Sequence, residues 1–194
     1  TAAVNGNIGL KEKQDGIPYR MAEKMGFASI SRLATGDVDL DDVYDWFMNF
    51  VDEHDLNVIF FIYDKWRVNK FIQQLETNTD IPLVPLGQDF LKISEPTAAT
   101  RKVFTQKRVK YQDDPIMQAS LFHAILREDN NSVAVDKKKA TLKIDTVDAI
   151  IDSMSEAVLH WENFNGHAEK ANKSVFGNQS AEQINTWFKN DFSF

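Results

Sequence analysis

Cysteine is absent from the 194-residue chain. That excludes disulfides and thiolate metal sites, and it fits a reducing cytoplasm. Long apolar runs are absent too: no window approaches the ~18 consecutive apolar residues that cross a bilayer as a helix. The opening TAAVNGNIGLKEKQDG has no apolar signal-peptide core. It also lacks an initiator methionine, from which a processed chain or a piece of a longer one is expected. No Gly-x-x-x-x-Gly-Lys-Ser/Thr loop occurs, so an ATPase phosphate cradle is excluded, and there is no Gly-x-Ser-x-Gly nucleophile turn. Histidine is scarce. His54, His123, His160 and His167 are scattered, with no pair at ligand spacing, and packing or surface roles suit them.

What remains is the composition of a soluble α/β chain, 43% hydrophobic and 26% charged, long enough to bury one full core. The net charge of −7 argues against a protein that coats nucleic acid by bulk attraction. Positive charge is nevertheless gathered locally. RKVFTQKRVK (101–110) holds Arg101, Lys102, Lys107, Arg108 and Lys110 with no acid. DKKKATLK (136–143) holds Lys137, Lys138, Lys139 and Lys143 against one acid. Each stretch reads either as solvated surface or as a local track for a phosphate backbone.

Periodicity orders the chain. Residues 1–26 are polar, with a short helix around 19–25, and FASISRL (27–33) reads as a strand through Phe27, Ile30 and Leu33. GDVDLDD offers Asp39 or Asp41 as a cap for a helix over 41–54 that carries Val43, Phe47, Phe50 and Val51. Val58 to Tyr63 is a continuous apolar run, the pattern of a strand covered on both faces and paired in parallel. It is followed by a helix carrying Val68, Phe71, Ile72 and Leu75, and then by the Pro-bearing strand IPLVPLG (81–87), placed near a sheet edge. This alternation predicts a doubly wound sheet. Pro96 is expected to start a helix over 97–108. A further helix is expected over 115–127 with Met117, Leu121 and Ile125 on one face. REDNNSVAVDKKKATLK is a loop or a short hairpin, and 144–161 is the clearest helix, striped by Val147, Ile151, Met154 and Val158. Two regions are expected: a main domain over 1–161 and a tail over 162–194. The tail carries a short amphipathic helix capped by Ser180 and Gln183. Its Phe164, Phe176, Trp187, Phe188, Phe192 and Phe194 suit docking, either on the parent domain or on another subunit.

The carboxylates carry the functional signal. Asp64 ends the apolar strand, and in an open α/β sheet ligands sit at the carboxyl ends of strands. Capping of the next helix is the alternative. Asp145, Asp148 and Asp152, at i, i+3 and i+7, fall within roughly 60° of one another on the last long helix, about 130° from its apolar stripe. Asp145 sits at the positive end of the helix dipole, either as a cap or as a ligand, and Asp152 is expected in solvent. Converging carboxylates without Cys or paired His suit a hard cation, Mg²⁺ or Mn²⁺. Two such ions about 4 Å apart can promote phosphodiester cleavage.

Four segments, in order, resemble the nuclease region of tailed-phage terminase large subunits: IPYRMAEKMGFASISRLATGDVDLDDVYDWF, FFIYDKWRVNKFIQQLE, VPLGQDFLKISEPTAATRKVF and DKKKATLKIDTVDAIIDSM. The likeness covers roughly 17–160. Its most specific pieces are the Tyr63-Asp64 strand end and the Lys143-Ile144-Asp145 helix start. It implies an α/β fold of the RNase H-like (ribonuclease H/integrase) type, with helices flanking a mixed sheet. It also implies a hydrolase that cuts concatemeric double-stranded DNA during viral genome packaging, with two Mg²⁺ or Mn²⁺ ions held by aspartates. By position, Asp64 and Asp145 become catalytic metal ligands, Asp148 a further metal candidate, and Lys139 or Lys143 a phosphate contact beside Lys107 and Arg108. The implied partners are DNA, a terminase ATPase domain, a small terminase subunit and the portal, in the host cytoplasm and without a membrane. The family's first metal aspartate lies on a strand upstream of IPYRMAEKMG, where Asp15 has no strand signal around it. The expectation is therefore a fragment lacking the motor, that aspartate and two strands, which binds metal weakly and cuts poorly alone. Two other readings stay open: a non-catalytic assembly or DNA-clamping module, and an unrelated α/β phosphoesterase.

Overall fold

The computed structural model describes residues 2–3, 8–31, 33, 37–64, 69–130 and 132–160. The aromatic tail with its capping box, and Val68, expected on the helix after Asp64, lie outside them. The elements in order are β1 (Ala2–Ala3), α1 (Ile8–Asp15), α2 (Tyr19–Lys24), β2 (Ile30–Ser31), α3 (Leu40–Glu53), β3 (Phe61–Asp64) and α4 (Asn69–Asn78). They continue with β4 (Leu83–Leu86), α5 (Phe90–Thr105), α6 (Pro115–His123), β5 (Leu126–Asp129), β6 (Ser132–Val135) and α7 (Asp145–Leu159).

The described residues do not form the expected doubly wound sheet. Among the described residues the strands make three two-stranded sheets: β1 with β2 in parallel, β3 with β4 in parallel, and β5 with β6 antiparallel. The strand–helix–strand unit β3–α4–β4 does keep the parallel pairing, with Phe61 opposite Leu83 and Asp64 opposite Leu86. The apolar run of β3 is half-buried throughout. Its Phe61 and Tyr63 pack on Phe71, Ile72 and Leu75 of α4 and on Val43, Tyr44, Phe47 and Met48 of α3.

Two helix boundaries differ from the periodicity. Pro96 does not open a helix; it is buried within α5, whose cap lies seven residues earlier in the chain, at Asp89, where the carboxylate accepts from the Lys92 N–H. The lost proline N–H and its ring clash are tolerated because Ile93, Thr97 and Thr100 are buried alongside it. Helix α6 stops at His123, so Ile125 is not on it. The next residues pair as a hairpin instead, turned by Asn130 at φ 46, a left-handed value that Asn adopts more readily than most residues. Asp39, rather than Asp41, caps α3 by accepting from the Asp41 N–H.

Helix α7 is held in place from two sides. Val147 and Ile151 join Ile93, Ala134, Val135 and Ile144 in one buried cluster, which clamps α7 against α5 and β6. Its first turn is tied down by Ser120 of α6, whose buried hydroxyl oxygen accepts from the Val147 N–H at 3.1 Å.

Candidate active site

Asp64 is the last residue of β3 and is partly buried. Strand alternation puts Ile62 and Asp64 on the face opposite Phe61 and Tyr63, and therefore away from α3 and α4. Helix α7 contacts β3. The Phe60 ring, just before the strand, lies 5.2 Å from the His160 ring, just after the helix. From Phe60 to Asp64 a strand rises about 13 Å, and from His160 back to Asp152 a helix covers about 12 Å. An antiparallel run of the two elements would bring Asp152 abreast of Asp64. Electrostatics agree, because the Asp64 charge is one of the influences that raise the Asp152 pKa.

Asp152, expected in solvent, is half-buried in the structure. The amide nitrogen of Gln88, in the turn between β4 and α5, donates to both of its oxygens at 3.0 and 3.2 Å. One turn earlier on α7, the Asp148 carboxylate, 17% exposed, meets the ammonium of Lys137 at 2.8 Å. The same ammonium donates to the Gln88 side-chain oxygen at 2.9 Å. Burial pushes the Asp148 carboxyl above the ordinary carboxylate range, its bond to Lys137 pulls back, and the charges of Asp152 and Asp145 push up again. Asp152 is likewise raised, first by burial, with Gln88 and Lys137 opposing and Asp64 adding.

The remaining sequence candidates are spread around this rim. Asp145 is exposed in the first turn of α7, about 10 Å along the axis from Asp152. Its charge also reaches Tyr19, which is pushed up first by burial and then by the buried Asp15 that accepts from its hydroxyl at 2.9 Å. Lys139 stands off, 3.9 Å from Asp136. Lys143 is exposed, and its carbonyl oxygen lies 3.0 Å from His123 Nδ1. Lys107 and Arg108 are exposed beyond the C-terminus of α5. That helix begins beside Gln88 and spans 16 residues, roughly 24 Å. The lysine at the carboxylates is Lys137. A cavity of about 320 Å³ opens beside it, between Gln88, Phe90, Ile93, Arg127 and Lys138. Periodicity grouped Asp152 with its helix neighbours, and Lys137 was legible as one member of the basic stretch 136–143, but nothing local singled it out of that run or pointed to Gln88.

A family model described as "Terminase large subunit, endonuclease domain" matches residues 5–161. The chain belongs to this family. As a terminase large-subunit endonuclease domain, it matches in fold the crystal structure of the HK97 bacteriophage large terminase, with a TM-score of 0.67 and 23% identity. The match covers 78% of this chain and 31% of that one, so the chain spans about a third of that terminase. No curated protein matches the sequence. Among the described residues of this terminase domain no helix is long and apolar enough to cross a membrane.

The donors at the rim are carboxylate oxygens with an amide between them, which suits Mg²⁺ or Mn²⁺ in kind. Among the described residues no group of three acidic or histidine side chains is set to hold an ion as it stands, and Asp148 is already engaged by Lys137.

Proposed function

We propose that this chain is the DNA-cutting part of a viral packaging terminase, a metal-dependent endonuclease that hydrolyses concatemeric double-stranded DNA with two divalent ions. The observation that supports the reading is the contact of α7 with β3, with the Phe60 and His160 rings 5.2 Å apart and the Asp64 charge bearing on Asp152. Asp64 and Asp152 would hold an ion, with Asp148 beside them and Asp145 at the mouth of the rim. The bound ions would polarise a phosphodiester oxygen and lower the pKa of a water. The chain's own residues do the rest. Gln88 fixes the Asp152 carboxylate, and Lys137 and Lys138 stand at the adjoining cavity, which Asp89 and Asp136 also line, within reach of a phosphate. Lys139 and Lys143 are carried by the same loop, and Lys107 with Arg108 would meet DNA further out. The sheet arrangement is read as RNase H-like. The ATPase domain, small terminase subunit and portal are the partners, in the cytoplasm of the infected host.

Plasmid cleavage by the purified chain in Mn²⁺ or Mg²⁺ tests this. Weak, chelator-sensitive nicking is expected, reduced about 100-fold or more in Asp64→Ala, because the metal is asked to supply several kcal/mol. Nicking that persists unchanged in Asp64→Ala rejects the site. Robust cleavage by the wild-type chain, lost in that variant, would instead show the site to be more complete than expected.

A further inference from the structure

Asp148 and Asp152 stand one turn apart on α7, both partly buried, on the helix that contacts β3. Partly buried like charges need a cation, and the one that the described residues set at Asp148 and Asp152 is an ammonium from the chain. Lys137 touches Asp148 at 2.8 Å and reaches Asp152 through Gln88. Its side chain is still 40% exposed, and it lines a cavity that it shares with Asp89, Asp136, Arg127 and Lys138. It is therefore held at the acids by one ion pair and one hydrogen bond, with an open alternative position beside it.

We propose that Lys137 is an exchangeable internal cation. It neutralises Asp148 and orients Asp152 through Gln88 until a divalent ion takes over the carboxylates. The ammonium then turns into the adjoining cavity, where it can meet a phosphate. Metal loading and the supply of a phosphate-binding lysine are in this way one movement. Lys137 is a positioning residue in this scheme. The proposal rests on the reading of the rim as a metal site and adds to it a competitor built into the chain.

The purified chain is titrated with Mn²⁺, with the free ion followed by electron paramagnetic resonance. Removing the competitor in Lys137→Met should tighten Mn²⁺ binding about two- to fivefold, the worth of a partly exposed ion pair. Lys137→Arg, which keeps the charge, should bind close to wild type. Equal or weaker binding by folded Lys137→Met overturns the proposal. A second measurement uses the unaltered chain: amine acylation mapped by mass spectrometry, with the neighbouring Lys138 as reference. Mg²⁺ should raise labelling of Lys137 several-fold relative to Lys138, and an unchanged ratio overturns the exchange whether or not the methionine variant folds. Asp64→Asn separates this idea from the metal reading. If Asp64→Asn loses Mn²⁺ while Lys137→Met binds as wild type, the rim stands and the exchange falls. If Asp64→Asn binds Mn²⁺ undiminished, both fall.

Discussion

At the scale of the residue, Asp148 and Asp152 cost the metal-free chain stability for the sake of where they stand. Both carboxyls keep their protons to higher pH in the folded chain than in the unfolded one. Between the ordinary carboxylate range and those raised values the folded chain binds more protons, so stability falls as pH rises through that window. Asp152→Asn removes that share of the loss while leaving an oxygen for Gln88 to donate to. It should melt above wild type at neutral pH without metal, with the gap closing as pH falls below the ordinary carboxylate range. Thermal melts at two pH values check this. An Asn variant that melts lower at neutral pH would mean that the pull of Lys137 and Gln88 outweighs the burial. The same residues explain what the sequence did not disclose. Asp152 looked solvated because its helix position, 130° from the apolar stripe, says nothing about a glutamine 64 residues earlier in the chain that reaches it.

At the scale of the element, the site depends on how α7 is seated. The helix has no side-chain cap of its own at Ile144, and the four leading N–H groups of a helix have no partner within it. Ser120, nearly fully buried on α6, supplies one of them through its hydroxyl. Ser120→Ala leaves the Val147 N–H buried without a partner and should cost about 1–3 kcal/mol. Urea unfolding measures it, and a change within a few tenths of a kcal/mol would mean that the first turn finds another acceptor. Because this turn carries Asp145 and Asp148, the variant should also weaken Mn²⁺ binding. Helix α7 itself was legible from its 3.6-residue stripe, as were α3 and the pairing of β3 with β4. The extents of α5 and α6 were not. Burial of Pro96 and strand pairing after Ala124 are tertiary gains that outweigh local propensity.

At the scale of the whole molecule, the proposed role asks an acidic chain to meet an acidic polymer, and its positive charge is gathered locally. The lysine-bearing loop after β6 stands at the rim, and Lys107 and Arg108 stand roughly a helix length away. Charge reversal of Lys107 and Arg108 to Glu should therefore weaken DNA binding without abolishing it. It should lower the slope of log affinity against log salt by about one for each phosphate no longer neutralised. Filter binding or fluorescence anisotropy over a salt series decides; an unchanged slope returns the pair to plain surface.

The sequence alone determined the chemical kind of the candidate site: oxygen donors on a strand end and on one helix face, without sulfur or paired imidazole. It also determined the family, through the order of four segments. Both are properties of residue type and near spacing, which the chain carries whether folded or not. Only the tertiary structure decided which carboxylates meet and what stands between them. The reason is that Gln88 and Lys137 reach α7 from two loops whose positions no local periodicity encodes.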